Sequence, residues 1–209
     1  GGGAGGAAYG DAAAPLAPGS GGGTGYDPGG KGGGAIRIEA DDRVEIHGTL
    51  SVNGSKGGAN SRGGGGSGGS IYITCRRFAG STNGLISAQG ADGENNQFDY
   101  CGGGGSGGRI AVLYDSTAQA AEPRPAVRFR AYGGTSYNPL AGQSDDGTLY
   151  FPDPSILTNV LQDALFKNVQ LTIPGWTQWR VDSLWVSNCS FTVATPSFVL
   201  GVTQSLTIH

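Results

Sequence analysis

Few side chains in this sequence are suited to chemistry, and most of them are carboxylates. They occur in pairs at Asp41-Asp42 and Asp145-Asp146, while Asp92, Glu94 and Asp99 share one loop. On a β scaffold, paired carboxylates are the equipment of a polysaccharide hydrolase or lyase. One protonates the leaving oxygen and the other acts as base or nucleophile. In glycine-rich turns, however, adjacent carboxylates are ordinarily solvated turn residues, and that is the reading adopted for both pairs. The Asp92–Asp99 loop gathers oxygens of the kind calcium uses, but their spacing is irregular. His47 and His209 are far apart and have no cysteine or carboxylate at zinc-ligand spacing. No Ser-His-Asp spacing is recognisable either. The expectation is therefore no enzyme, with no catalytic, cofactor-binding or metal-binding residue and no cofactor.

Two glycine motifs look like phosphate binders and fail on context. Gly63-x-Gly65-x-x-Gly68 fits the dinucleotide pattern, but it leads into a strand instead of a helix. Gly25 to Lys31 approaches a phosphate loop, but Gly32 stands where Ser or Thr is required. Three other groups invite modification or contact. Asn53-Gly54-Ser55 and Asn188-Cys189-Ser190 are N-glycosylation acceptors, with Asn53 and Asn188 as the candidate residues. Trp176, Trp179 and Trp185 could stack on sugars or simply fill a core. Cys75 and Cys101 either form a disulfide or are two buried thiols. Closing that loop would contribute about 3 kcal/mol in the chain-entropy model. Cys189 is expected to be buried or to pair elsewhere.

The elements that must position these residues are set by a recurring glycine phrase. GGGGSGG stands before Ser70-Ile71-Tyr72-Ile73 and again before Arg109-Ile110-Ala111-Val112. GGKGGG precedes Ala35-Ile36-Arg37-Ile38, and Ser144-Asp145-Asp146-Gly147 precedes Thr148-Leu149-Tyr150-Phe151. The equivalent positions Ala35, Ser70, Arg109 and Thr148 are spaced by 35, 39 and 39 residues. A constant period of this size marks a repeat architecture. Each copy runs glycine, alternating strand, turn, second strand, then a small residue and glycine. Ile-x-Ile alternation sends Arg37, Tyr72 and Ala111 outward and the isoleucines inward. No helix is expected before Tyr150.

A two-strand unit of this size cannot bury its own apolar face, but stacked units can. The fold expected is all-β: a repetitive, β-helix-like solenoid with packed glycine-rich, polyproline-II-like loops. Of 42 glycines, all but Gly175 and Gly201 precede Tyr150. Alternating Ile, Val, Leu and Phe between the glycine runs argue against disorder. The chain divides into a glycine-rich repeat region over 1–149, with repeats near 35–69, 70–108 and 109–147, and β-helix-type strands over 150–209. In the second region, runs beginning near 169, 189 and 205 suggest further rungs, and 158–167 reads as one helical turn or a connecting loop. Ala14-Pro15-Leu16-Ala17-Pro18 interrupts the first glycine run.

A net charge of −3 with only 14% charged residues supplies no basic face for nucleic acid. No apolar run approaches the roughly 20 residues that span a bilayer. The chain lacks methionine, begins in a glycine run and stops in a strand-like stretch, so it reads as part of a longer polypeptide.

From about Tyr9 to Phe151, the phrase series resembles the glycine-rich repeat regions of very large secreted or cell-surface proteins of bacteria, algae and other protists. The two cysteines and the weak fourth phrase depart from that pattern. The resemblance implies an extracellular, β-helix-like structural region and carries no catalytic residue with it. The expected function is a rigid repeat scaffold in an extracellular fibre or surface protein, self-associating into a filament or a flagellar-hair-like appendage. Its expected partners are neighbouring protomers, with glycans as a second class. The alternatives are an adhesin or carbohydrate-binding module, and a polysaccharide-active β-helix enzyme.

Overall fold

The computed structural model describes residues 10–25, 28–58, 63–94, 102–137 and 143–209. It is mostly β-sheet with very little helix. The alternating segments form β1 (Ala35–Glu39), β2 (Arg43–Ile46), β3 (Thr49–Ser51), β4 (Ser70–Thr74), β5 (Arg77–Gly80), β6 (Leu85–Ser87), β7 (Arg109–Leu113), β8 (Arg128–Arg130) and β9 (Gly147–Tyr150). The later strands are β10 (Val160–Leu161), β11 (Phe166–Thr172), β12 (Gln178–Val186), β13 (Ser190–Val193) and β14 (Val199–Ile208).

The first strands of the repeats pair in parallel in the order β1, β4, β7, β9. Ala35, Ser70, Arg109 and Thr148, the four positions defined by the glycine phrase, are direct register partners. The second strands pair likewise, placing Ser51, Ser87 and Arg130 in one row across β3, β6 and β8. One strand joins the two sets. Phe166 and Lys167 of β11 pair with β8, while Val169 to Thr172 pair with β9. Between them Asn168 takes a φ of 50°, a left-handed geometry that asparagine tolerates better than most residues. The kink turns the two rows into a single curled, parallel half-barrel sheet.

The concave side is the core. Ile71, Ile73, Ile110, Val112 and Leu149 enter from one wall and Ile86 and Phe129 from the other, all essentially inaccessible to solvent. Burial on this scale is worth about 1.5–3 kcal/mol for each large apolar side chain. Phe129 is central: its ring centroid lies 5.5 Å from Phe151, 6.1 Å from Phe166 and 6.4 Å from Phe78.

The glycine phrases run as extended segments alongside the strands. In the 63–69 segment, six consecutive amides donate in three directions with a period of three. Gly64 and Ser67 donate to Gly23 and Ser20, Gly65 and Gly68 to Gly103 and Ser106, and Gly66 and Gly69 to Ser55 and Val52. The partners' numbering shows that segments preceding strands are parallel to one another and antiparallel to those following strands. A Cβ at Gly33 or Gly68 would overlap the carbonyl of Val52 or Ala88, so these backbones approach more closely than any side chain allows.

Three expectations need correcting. Helix α1 (Ser116–Ala120) lies before Tyr150, where none was expected. It is too short to show a helical period. Asp115 caps it by accepting from the Ala118 amide, and buried Gln119 anchors it, accepting from the Phe78 amide at 2.7 Å and donating to the Phe78 carbonyl at 3.0 Å. Ala111 faces outward but is fully buried instead of open. It lies between Tyr72 and Tyr150 on a face crossed by residues 10–18. There Pro15 is buried, the Ser70 hydroxyl donates to the Ala17 carbonyl at 2.6 Å, and Gly10 rests on the Arg109 guanidinium. The Ala-Pro-Leu-Ala-Pro interruption is thus a strap across the sheet's outer face. Finally, the C-terminal rungs are offset by 22 residues, pairing Val169 with Phe191 and Leu184 with Leu206, rather than the 20 and 16 read from the run starts. Residues 158–167 hold β10 and a turn with positive φ at Asp163 and Ala164.

Candidate functional site

The carboxylate pairs are engaged separately. Asp42, in the turn between β1 and β2, receives Arg77 through Nη2 at 2.6 and 2.7 Å and Nε at 3.1 Å. Arg77 also donates to Glu122 at 3.2 Å, Glu122 accepts from Arg43 at 2.8 Å, and Arg43 pairs with Glu45 at 2.5 Å. His47 ends the chain of contacts, 3.2 Å from Glu45 and 3.1 Å from the Ser81 hydroxyl. The Arg77 hydrogen bonds hold the Asp42 carboxyl below the usual carboxylate range, and His47 and Arg43 do the same for Glu45. A carboxylate so held is a poor proton donor at neutral pH. Asp146 accepts instead from the Gly133 amide, and the Asp145 carbonyl from the Gly107 amide.

Asp92 accepts from the Thr135 amide at 2.8 Å and pairs with Lys56 at 3.1 Å. The Thr135 amide bond leads the causes that lower its pKa. Asp99 lies outside the described residues. Among the described residues no group of three or more His, Cys, Asp and Glu could hold a metal ion. His209 stacks 5.3 Å from Trp185, remote in sequence from His47. The Gly63–Gly68 motif offers no nest for phosphate, because its amides from Gly64 onward already donate to protein carbonyls. Of the Gly25–Lys31 motif, Tyr26 and Asp27 lie outside the described residues.

Cys75 is half-buried at the end of β4, its thiol 3.8 Å from the Leu113 carbonyl, and burial pushes its pKa up to about 11. Its candidate partner Cys101 lies outside the described residues. Cys189 is half-buried against the core, and neither Cys75 nor Cys189 forms a disulfide among the described residues. Asn53 is exposed, and its Oδ1 accepts from the Ser87 hydroxyl and the Gln89 amide, both at 2.8 Å, which fixes the amide plane. Asn188 is exposed in a turn with φ of 53°. The tryptophans part company: Trp176 is buried, Trp179 half-buried and Trp185 45% exposed.

The feature the sequence did not single out is the exposed sheet edges, of which β1 and β14 matter most. Among the described residues β1 pairs with β4 alone, and β14 pairs with β12 alone. On and beside β14, Val199, Leu200, Leu206, Ile208 and Trp185 are exposed large apolar residues, Ile208 to 68%. A long strand with free backbone donors and acceptors and apolar side chains is a template for another strand. Alternating apolar residues in 199–208 were the available signal, but alternation cannot say whether a second sheet covers them. No helix among the described residues is long and apolar enough to cross a membrane. No protein-family model, curated protein or solved structure matches the chain.

Proposed function

We propose that this chain is a structural segment of a large extracellular or cell-surface fibre protein. In this reading the coils form a β-helix-like solenoid and the glycine segments pack as polyproline-II-like rods. Its job is to be stiff, with no catalytic role. The three-residue hydrogen-bond period of the 63–69 segment supports the rod geometry, since polyproline II repeats every three residues. Each glycine costs backbone entropy on ordering, and hydrogen bonds in three directions offset it.

The observation that carries the proposal is that, among the described residues, the edge strands β1 and β14 each pair on one side only. An isolated module covers or charges such edges, whereas a segment within a continuing stack leaves them open for the next rung. The partners are therefore neighbouring rungs or neighbouring protomers. Negative-stain electron microscopy of the native material should show rods or filaments, and light scattering should show concentration-dependent association. Compact monomers at all concentrations, with no fibre in the native material, would overturn the proposal. The Asp42–Arg77 pairing engages one member of the Asp41-Asp42 pair on which the enzyme alternative draws.

A further inference from the structure

Beside the half-barrel runs a groove lined by both apolar and polar side chains. It consists of two adjoining clefts, of about 470 and 480 Å³, each within the size range of ligand sites. Arg124 and Thr158 line both, so the clefts are continuous. Arg128 and Gln162 line one end, and Asn159 and Trp179 the other.

Three properties of this groove point to a ligand. First, neither Arg124 nor Arg128 takes part in an ion pair among the described residues, whereas Arg37, Arg43 and Arg77 all do. The Arg128 Nε is buried with no hydrogen-bond partner. That atom is enclosed by protein, and the exposed Arg124 guanidinium, with no ion pair among the described residues, is the donor a ligand oxygen can reach. Second, the Trp179 ring is held in place. It lies 5.8 Å from the buried Trp176 ring, which is itself 4.5 Å from Phe198. A half-exposed aromatic face already packed on one side has less rotamer freedom to lose on binding. Third, the charges nearly cancel. Asp153, Asp163 and Asp182 also line the groove, and two of them are already occupied. Asp153 accepts from Tyr114, Ser116 and the Ser155 amide, and Asp182 from Thr203. Two arginines against three aspartates leave one net negative charge, which gives an anionic ligand no advantage.

An aromatic platform flanked by planar side chains that donate and accept in pairs matches a pyranose ring. Its C–H face lies on the aromatic ring, and its vicinal hydroxyls meet Arg, Asn and Gln. We propose that the groove from Arg128 to Trp179 binds a neutral glycan chain. One sugar stacks on Trp179, and the next presents its hydroxyls to Arg124 and Arg128. The site does not depend on fibre assembly.

The test is to titrate the full chain with cellohexaose, laminarihexaose, xylohexaose and mannohexaose, following tryptophan fluorescence and heat. Saturable binding of at least one is expected. Trp179→Ala and Arg124→Ala should each weaken it at least tenfold, with Trp179→Phe and Trp185→Ala close to wild type. Arg124 is exposed, so its replacement leaves folding intact, and matching urea midpoints would confirm that. No saturable binding of any neutral probe, binding of oligogalacturonate alone, or binding that survives both alanine substitutions within twofold would each overturn the site.

Discussion

The Cα of Gly66 rests on the backbone of Lys31 so closely that a Cβ would overlap both the carbonyl carbon and the oxygen. The same glycine donates its amide to the Ser55 carbonyl at 3.0 Å, so it is gripped from two sides. Gly66→Ala must therefore push rigid backbone apart and should lower unfolding free energy by about 1–3 kcal/mol or more. Gly34→Ala is the control. A Cβ there meets nothing within 4 Å, so the change should be neutral or raise stability by about 0.4–1 kcal/mol through the unfolded state. Urea unfolding of the two variants decides the matter; equal effects would mean the glycines serve flexibility instead of close approach.

Phe129→Ala should be among the most damaging core substitutions. The ring is 2% exposed and touches Phe78, Phe151 and Phe166, so its loss removes the contact between the two walls of the half-barrel. A cost of about 3–5 kcal/mol is expected, read from denaturant midpoints.

Gln119→Leu tests the anchor of α1. The substitution keeps the bulk but strips the Phe78 amide and carbonyl of their side-chain partner in a buried setting. The expected loss is about 1–3 kcal/mol. A neutral result would mean that water replaces the amide.

The ion pairs around Arg77 predict an acid dependence with a definite sign. The folded-state pKa of Asp42 lies below its ordinary 3.8, and that of Glu45 below 4.5. Their contribution is therefore present above those ordinary values and is lost as pH falls through the depressed ones. Stability should decline below about pH 4, with the carboxylate reference values setting the window. Arg77→Ala should flatten the Asp42 part of that decline, and high salt should shrink the difference between variant and wild type. Thermal scans between pH 3 and 7 provide the measurement.

Leu206→Lys combined with Ile208→Lys places two charges on the exposed edge strand β14. Charge on an edge disfavours strand addition, so end-to-end association should fall while the unfolding midpoint stays within the range of surface changes, about 0.5 kcal/mol. Light scattering with a parallel unfolding curve separates the two effects.

Much of the repeat order was legible because it rests on local signals. Glycine phrases preceding Ile-x-Ile alternation mark where strands begin, and equal spacing places Ala35, Ser70, Arg109 and Thr148 side by side. The chain from Asp115 to Ala121 was not legible, since a single short turn of helix leaves no period and its anchor, Gln119, acts on a residue 41 positions away. Asp42 read as a turn carboxylate for the same reason: its partner Arg77 is 35 residues distant, and only stacking brings the two together. The site candidates divided along this line. The Gly63–Gly68 motif could be dismissed locally, because the next residues, Ser70 to Thr74, form a strand. The groove at Arg124 and Trp179, by contrast, is assembled from segments that share no pattern.

By itself, the sequence determined period, strand alternation and the places where no side chain may stand, because these depend on chain length, pleat geometry and the absence of Cβ. The tertiary structure alone decided closure and contact. Asn168 turns β11 from one row of strands into the other. The 10–18 strap buries Ala111, and β14 is left open while β7 is enclosed. Those outcomes depend on which surfaces meet across long stretches of chain, and the free energy of such meetings is not written in any local window.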